Sequence, residues 1–127
     1  MAAGIVSSVD LIMGPQEGLY SIGLAADDSF ESFNEKVRNK LDEIVCDDGV
    51  LVFVDLFGGT PCNQTIRLLR AYSLQVVVGV NLPMILQAVL ANREGVTASQ
   101  LIAMAVDNGR GGIFDAGARI QSLTEEE

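Results

Sequence analysis

Hydrophobic and polar positions along the chain alternate between a helical period and short apolar runs. Residues 2–13 (AAGIVSSVDLIM) place Ile5, Val6, Val9, Ile12 and Met13 at helical spacing, and Gly14-Pro15 ends the run. Residues 19–24 (LYSIGL) alternate weakly and predict a short strand. Asp27-Asp28-Ser29 supplies an N-cap, with Glu31 three residues after Asp28 as in a capping box. The helix that follows puts Phe30, Phe33, Val37, Leu41 and Ile44 on one face.

Residues 50–54 (VLVFV), after Asp47-Asp48-Gly49, are apolar without a break, the pattern of a strand buried on both faces in a parallel sheet. The run stops at Asp55. Leu56-Phe57-Gly58-Gly59 then leads to Thr60 as N-cap and Pro61 as first residue of a helix over 61–71. Residues 74–80 predict a second buried strand, and Asn81-Leu82-Pro83 turns into a helix over 83–92. Thr97 and Gln100 form a second capping-box pair for a helix to about Asn108, ended by Gly109, Gly111 and Gly112. Residues 118–123 (ARIQSL) alternate and predict an edge strand, followed by an unstructured acidic end, Glu125–Glu127. Strands alternating with helices predict one α/β domain over 1–127. Its expected form is a three-layer, open, mainly parallel sheet, with helices on both faces and a C-terminal antiparallel edge strand.

Charge and residue counts narrow the chemistry. The 127 residues carry 8 Lys and Arg against 17 Asp and Glu, a formal charge of -9. Such a field repels polyanions and argues against nucleic acid or anionic membranes as partners. No apolar run approaches the ~20 residues of a membrane helix, and no secretory signal is read at the N-terminus, so a cytoplasmic protein is expected. Cys46 and Cys62 are too few for a disulfide scaffold and lack the company of metal ligands, so neither a metal nor a cofactor is expected. Histidine is absent, which removes the usual general base, metal ligand and phosphoryl acceptor.

Two strand-to-helix loops qualify as a site in such a sheet, because ligands lie beyond the carboxyl ends of the strands. In the first, Asp55 stands at the strand's end, Gly58 and Gly59 allow a tight turn, and the helix starting at Thr60 offers free amides and a positive dipole end to an anion. A capped turn in which Asp55 satisfies backbone amides fits the same residues equally well. In the second, Asn81 serves either as a ligand donor or as a turn residue. Cys62 sits where a helix start stabilises a thiolate, but such a residue is more often a buried packing group, and a redox role rests on it alone.

The strings VDLFGGTPCN (54–63) and GVNLPMIL (79–86) resemble the IIA component of the mannose-type (mannose/fructose/sorbose) sugar phosphotransferase system. The opening AAGIVSSVDLIMGPQEGLYSIGL (2–24) and AVDNGRGGI (105–113) are similar to the same family. The resemblance implies a cytoplasmic phosphocarrier whose histidine takes a phosphoryl group from the small carrier HPr and passes it to a IIB component. The residue matching Asp55 fixes the histidine tautomer, and those matching Phe57, Gly58, Gly59 and Thr60 line the pocket and receive phosphoryl oxygens. It also implies a homodimer in which the last strand, matching 118–123, crosses to the partner. In the family a buried strand and a turn carrying the histidine precede the first helix. Roughly 10–15 further residues ahead of Met1 are therefore expected, the length of one strand and a turn. The alternative is a histidine-less relative that dimerises or binds IIB without transferring phosphate.

Overall fold

The computed structural model describes residues 1–44 and 49–126. Cys46 and the Asp47-Asp48 pair lie outside the described residues. Among the described residues six helices and two strands follow in the order α1 (Ala2–Met13), α2 (Phe30–Glu43), β1 (Val50–Val54), α3 (Thr60–Arg67), β2 (Leu74–Val78), α4 (Leu82–Arg93), α5 (Ala98–Gly111) and α6 (Ala116–Glu126).

The two apolar runs pair in parallel, Val50 opposite Leu74 through Val54 opposite Val78. Side chains alternate across this small sheet and meet helices on both faces. Leu51, Phe53 and Val77 pack with Met84, Ala88, Ala91, Leu101 and Ala105 of α4 and α5. Val50 and Leu74 face the other way, onto Phe33, Val37 and Leu41 of α2 and Leu68. Helix α1 lies against α4 and buries Val9 completely. Its end is tied down by Arg93, which donates to Gln16 Oε1 at 2.8 Å. Gly14, at φ 83°, closes α1 in a conformation that a side chain disfavours.

The caps explain where most helices begin. The second predicted capping box holds as read: Thr97 Oγ1 accepts from the Gln100 amide at 3.2 Å, and Gln100 Oε1 from the Thr97 amide at 3.0 Å. The first is displaced by one residue. Ser29 and Ser32, not Asp28 and Glu31, exchange side-chain and backbone bonds at 3.0 and 2.8 Å. Asp28 instead accepts from the Ala25 amide at 2.8 Å, from Ser32 Oγ at 2.9 Å and from the Lys36 ammonium. A serine hydroxyl at the third helical position reaches back as a glutamate would, with a shorter arm.

Other expectations are corrected. Residues 19–24 form no strand: β1 bonds only to β2 among the described residues, and this segment does not join the sheet. Ile22 nevertheless packs on the α2 cluster. The predicted edge strand at 118–123 belongs to helix α6, which also takes in Glu125 and Glu126. Asp115 starts that helix by accepting from the Ala118 amide at 2.9 Å, and Arg119 covers the Phe114 ring at 3.7 Å. Without a neighbouring strand a helix satisfies its own backbone groups, which an isolated strand cannot do. α3 ends at Arg67 and continues to Tyr72 only as turns. α5 runs past Asn108 to Gly111, because Gly109 is needed inside the α4–α5 contact rather than as a stop.

The Lys36 ammonium, then the Ala25 amide and the Ser32 hydroxyl, hold the Asp28 carboxyl from its ordinary 3.8 down to about 2. Because the folded value is the lower one, this support of the α2 start is complete above pH 3.8 and is lost as the pH falls through about 2. An NMR titration of the Asp28 carboxyl carbon should therefore show a midpoint near 2, whereas a midpoint at 3.8 or above would contradict these contacts.

Candidate functional site

Parallel pairing sends both strands out at one end of the sheet. The Val54 carbonyl accepts the amides of Gly79 at 2.8 Å and Val80 at 3.1 Å, so the loops after β1 and β2 leave side by side. This places Asp55–Gly59 next to Gly79–Asn81, as the sequence predicts for an α/β sheet.

The first loop is a tight turn with an open surface. The Gly59 amide returns to the Leu56 carbonyl at 3.2 Å, and Gly58 sits at φ 85°, where a side chain is strained. Leu56 and Phe57 are 66% and 76% exposed, so neither apolar side chain is used by the core. Asp55 is exposed at the end of a strand whose last residue, Val54, is buried. Among the described residues, the carboxylates that accept loop or cap amides are Asp28 and Asp115, and Asp55 is not one of them. That speaks against Asp55 as a mere turn-satisfying group.

Gly59, not Thr60, is the N-cap of α3, and it brings no side-chain cap. Thr60 is the first helical residue and Pro61 the second, so the first intrahelical bond is the Asn63 amide to Gly59 at 2.9 Å. The amides of Thr60 and Cys62 precede that bond and have no partner within the helix, which leaves donors beside the positive end of the helix dipole. Cys62 itself is fully buried and serves packing. Sequence reasoning missed Asn63: its Nδ2 donates to the Gly58 carbonyl at 3.0 Å and fixes the glycine turn to the helix.

Asn81 has a larger structural share than its sequence context announces. Its Oδ1 caps α4 by accepting the Met84 amide at 3.0 Å, and its Nδ2 donates to the Gly109 carbonyl at 2.8 Å. Gly109 has no room for a side chain, because a Cβ would meet Met84 Cβ at 3.1 Å and Asn81 Oδ1 at 3.2 Å. Asn108 reinforces the joint by donating to the Pro83 carbonyl at 2.8 Å. The segments 79–86 and 105–113 are thus two halves of one clasp beside the first loop. Among the described residues no group of three or more Asp, Glu or Cys is arranged to hold a metal.

Asn81→Ala removes a cap and an interhelix bond together and should lower stability by about 1–3 kcal/mol. Urea denaturation measures this, and an unchanged midpoint would contradict the clasp.

Comparison with known proteins agrees with this architecture. A family described as PTS system fructose IIA component matches residues 1–106. The PTS system mannose-specific EIIAB component of Escherichia coli (strain K12) is 29% identical over 113 residues, covering 88% of this chain. The chain spans only 35% of that relative's length. The PTS system fructose-specific EIIA component of Bacillus subtilis (strain 168) is 30% identical over 96 residues, 75% of this chain and 65% of the relative. The crystal structure of phosphotransferase system component EIIA from Streptococcus agalactiae superposes with a TM-score of 0.83 at 29% identity, covering 92% of this chain and 90% of that one. The α/β arrangement of a small parallel sheet between helices is thus shared with a IIA structure, and the chain belongs to the PTS system fructose IIA component family.

Proposed function

We propose that loop 55–59 and the start of α3 form the phosphoryl-handling site of a cytoplasmic carrier, which relays a phosphoryl group from HPr to a IIB component during sugar uptake. The observation that carries this reading is the pairing of an exposed carboxylate, Asp55, with the unpaired first-turn donors of α3 in a chain of the IIA family. Asp55 orients an imidazole so that its far nitrogen attacks phosphorus. The Gly58, Gly59 and Thr60 region, with Phe57 and Asn81 at its border, surrounds the phosphoryl oxygens. Donors prearranged around the transferring group are the main catalytic contribution in such reactions.

None of the 127 residues is a histidine. In this reading the imidazole comes from a strand and turn ahead of α1. One feature supports it: the outer edge of β1 is unpaired among the described residues. α6 exposes Ile120 and Leu123 along its length, which supports a homodimer that covers them. The second reading, a binding module that dimerises or occupies IIB without transferring phosphate, is favoured by the lack of histidine alone.

The two readings separate on incubation with phosphorylated HPr and intact mass measurement at neutral pH. The carrier reading predicts no gain for the 127 residues and one phosphoryl mass once the preceding strand and histidine turn are added. No gain in either form supports the binding module, and a gain by the 127 residues alone refutes the histidine mechanism. In the extended form, Asp55→Asn should slow phosphoryl uptake by favouring the wrong tautomer and leave the dimer intact. Unchanged kinetics would remove that role. Thr60→Val should raise the barrier by about 1–3 kcal/mol, the cost of one hydrogen bond to a charged group. Full uptake by that variant would count against the pocket.

A further inference from the structure

Away from loop 55–59, a groove of about 540 Å³ lies between α2 and the segment 64–72. α2 and the segment 64–72 lie side by side and run the same way, since Asn34 meets Gln64 of α3 and Asp42, later in α2, meets Tyr72 in the turns past α3. The volume falls within the range of small-molecule sites, and polar groups converge on it.

Arg38 and Arg67 line it from opposite walls. Both are exposed, and the ion pairs formed among the described residues, Lys36–Asp28 and Lys40–Glu43, involve neither. Deeper in the groove stands Gln64, only 4% exposed. Its hydrogen bonds with α2 are accepted by its backbone and side-chain oxygens, both at 3.3 Å from Asn34 Nδ2. Gln64 Nε2 and Asn34 Oδ1 are thus left without a partner among the described residues, one a donor and the other an acceptor. Among the described residues no buried side-chain nitrogen or oxygen lacks a partner, so Gln64 Nε2 reaches the open groove, where it and the two guanidiniums present donors to an occupant.

Charge distribution points to the sign of the occupant. Residues 36–70 hold five Lys and Arg against five Asp and Glu, so the formal charge of -9 arises entirely from the rest of the chain. An oxyanion is least repelled here, and guanidinium forks match both phosphate and carboxylate oxygens. Glu31, at the rim, disfavours polyanions and offers an acceptor to a hydroxyl.

We propose that this groove binds a small polyhydroxylated oxyanion, a sugar phosphate or a sugar acid. Arg38 and Arg67 take its charged group, and Gln64 Nε2, Asn34 Oδ1 and Glu31 take its hydroxyls. The site is separate from the phosphoryl-handling loop and does not depend on it.

The test follows the arginine Nε–H and backbone amide NMR signals of the 127-residue chain at constant ionic strength, with ribose 5-phosphate, gluconate and ribose as probes. A saturable response of Arg38 and Arg67 to ribose 5-phosphate or to gluconate, and none to ribose, is expected, and the probe that saturates identifies the anion. Arg38→Gln and Arg67→Gln change exposed side chains, should leave the remaining spectrum in place, and should each weaken binding about tenfold or more. Response to neither anion, equal response to ribose, or unchanged affinity in both variants overturns the proposal. A response confined to the Gly58 and Gly59 amides also overturns it, while leaving the phosphoryl-site reading intact.

Discussion

The parallel register of β1 on β2 is the constraint on which the rest depends. Val54 opposite Val78 brings the ends of both strands to one level, and the Val54 carbonyl binds the first two amides beyond β2. Two loops distant in sequence therefore share one rim. The alternation of Leu51 and Phe53 with Val50 then assigns α4 and α5 to one face and α2 to the other. If the register slipped by one residue, each apolar side chain would face the wrong layer and the two loops would separate.

A second lock holds the rim from the side. Asn81 is both the cap of α4 and a donor to α5, and it works only because Gly109 lets the helices approach closely. Gly112 is held to the same standard, since a Cβ there would lie 2.7 Å from the Pro83 ring. The glycine-rich end of α5 is thus a packing surface for the Asn-Leu-Pro turn. On the opposite flank Asn63 ties the glycine turn to α3, so the loop that carries Asp55 is braced through backbone carbonyls while its own side chains stay free. A site arranged in this way keeps its donors fixed before any ligand arrives, which is what electrostatic stabilisation of phosphoryl transfer requires.

Sequence reading succeeded where local chemistry decides and failed where a neighbour decides. Residues 50–54 and 74–80 read as strands because no polar residue interrupts either apolar run beyond Gln75, although β2 stops at Val78 and leaves Gln75 and Val78 exposed rather than buried. Thr97 and Gln100 cap α5 as their spacing requires. Residues 19–24 have a strand's alternation but join no strand among the described residues, and 118–123 alternate equally well yet follow Asp115, whose capping bond was the overlooked signal. The strand-to-helix turn through Asp55, Phe57, Gly58, Gly59 and Thr60 was legible, since an apolar strand, a glycine pair and Thr-Pro fall in direct succession, although Gly59 rather than Thr60 is the cap. The commitment of Asn81 was not legible, because an asparagine opening an Asn-Leu-Pro turn looks the same as cap or as ligand, and its deciding partner lies 28 residues away. The unpaired donors of Gln64 and the arginines beside it were equally hidden, since they converge from two helices 30 residues apart.

At the centre of this account is the proposal that the turn from Gly58 to Thr60, already formed in the chain, is where a phosphoryl group is received. Its most direct test is an amide NMR titration of the 127 residues with inorganic phosphate at constant ionic strength. The account predicts saturable shifts at Gly58, Gly59 and Thr60 that Thr60→Val weakens. Amides at that turn that stay unmoved as phosphate is raised would contradict it.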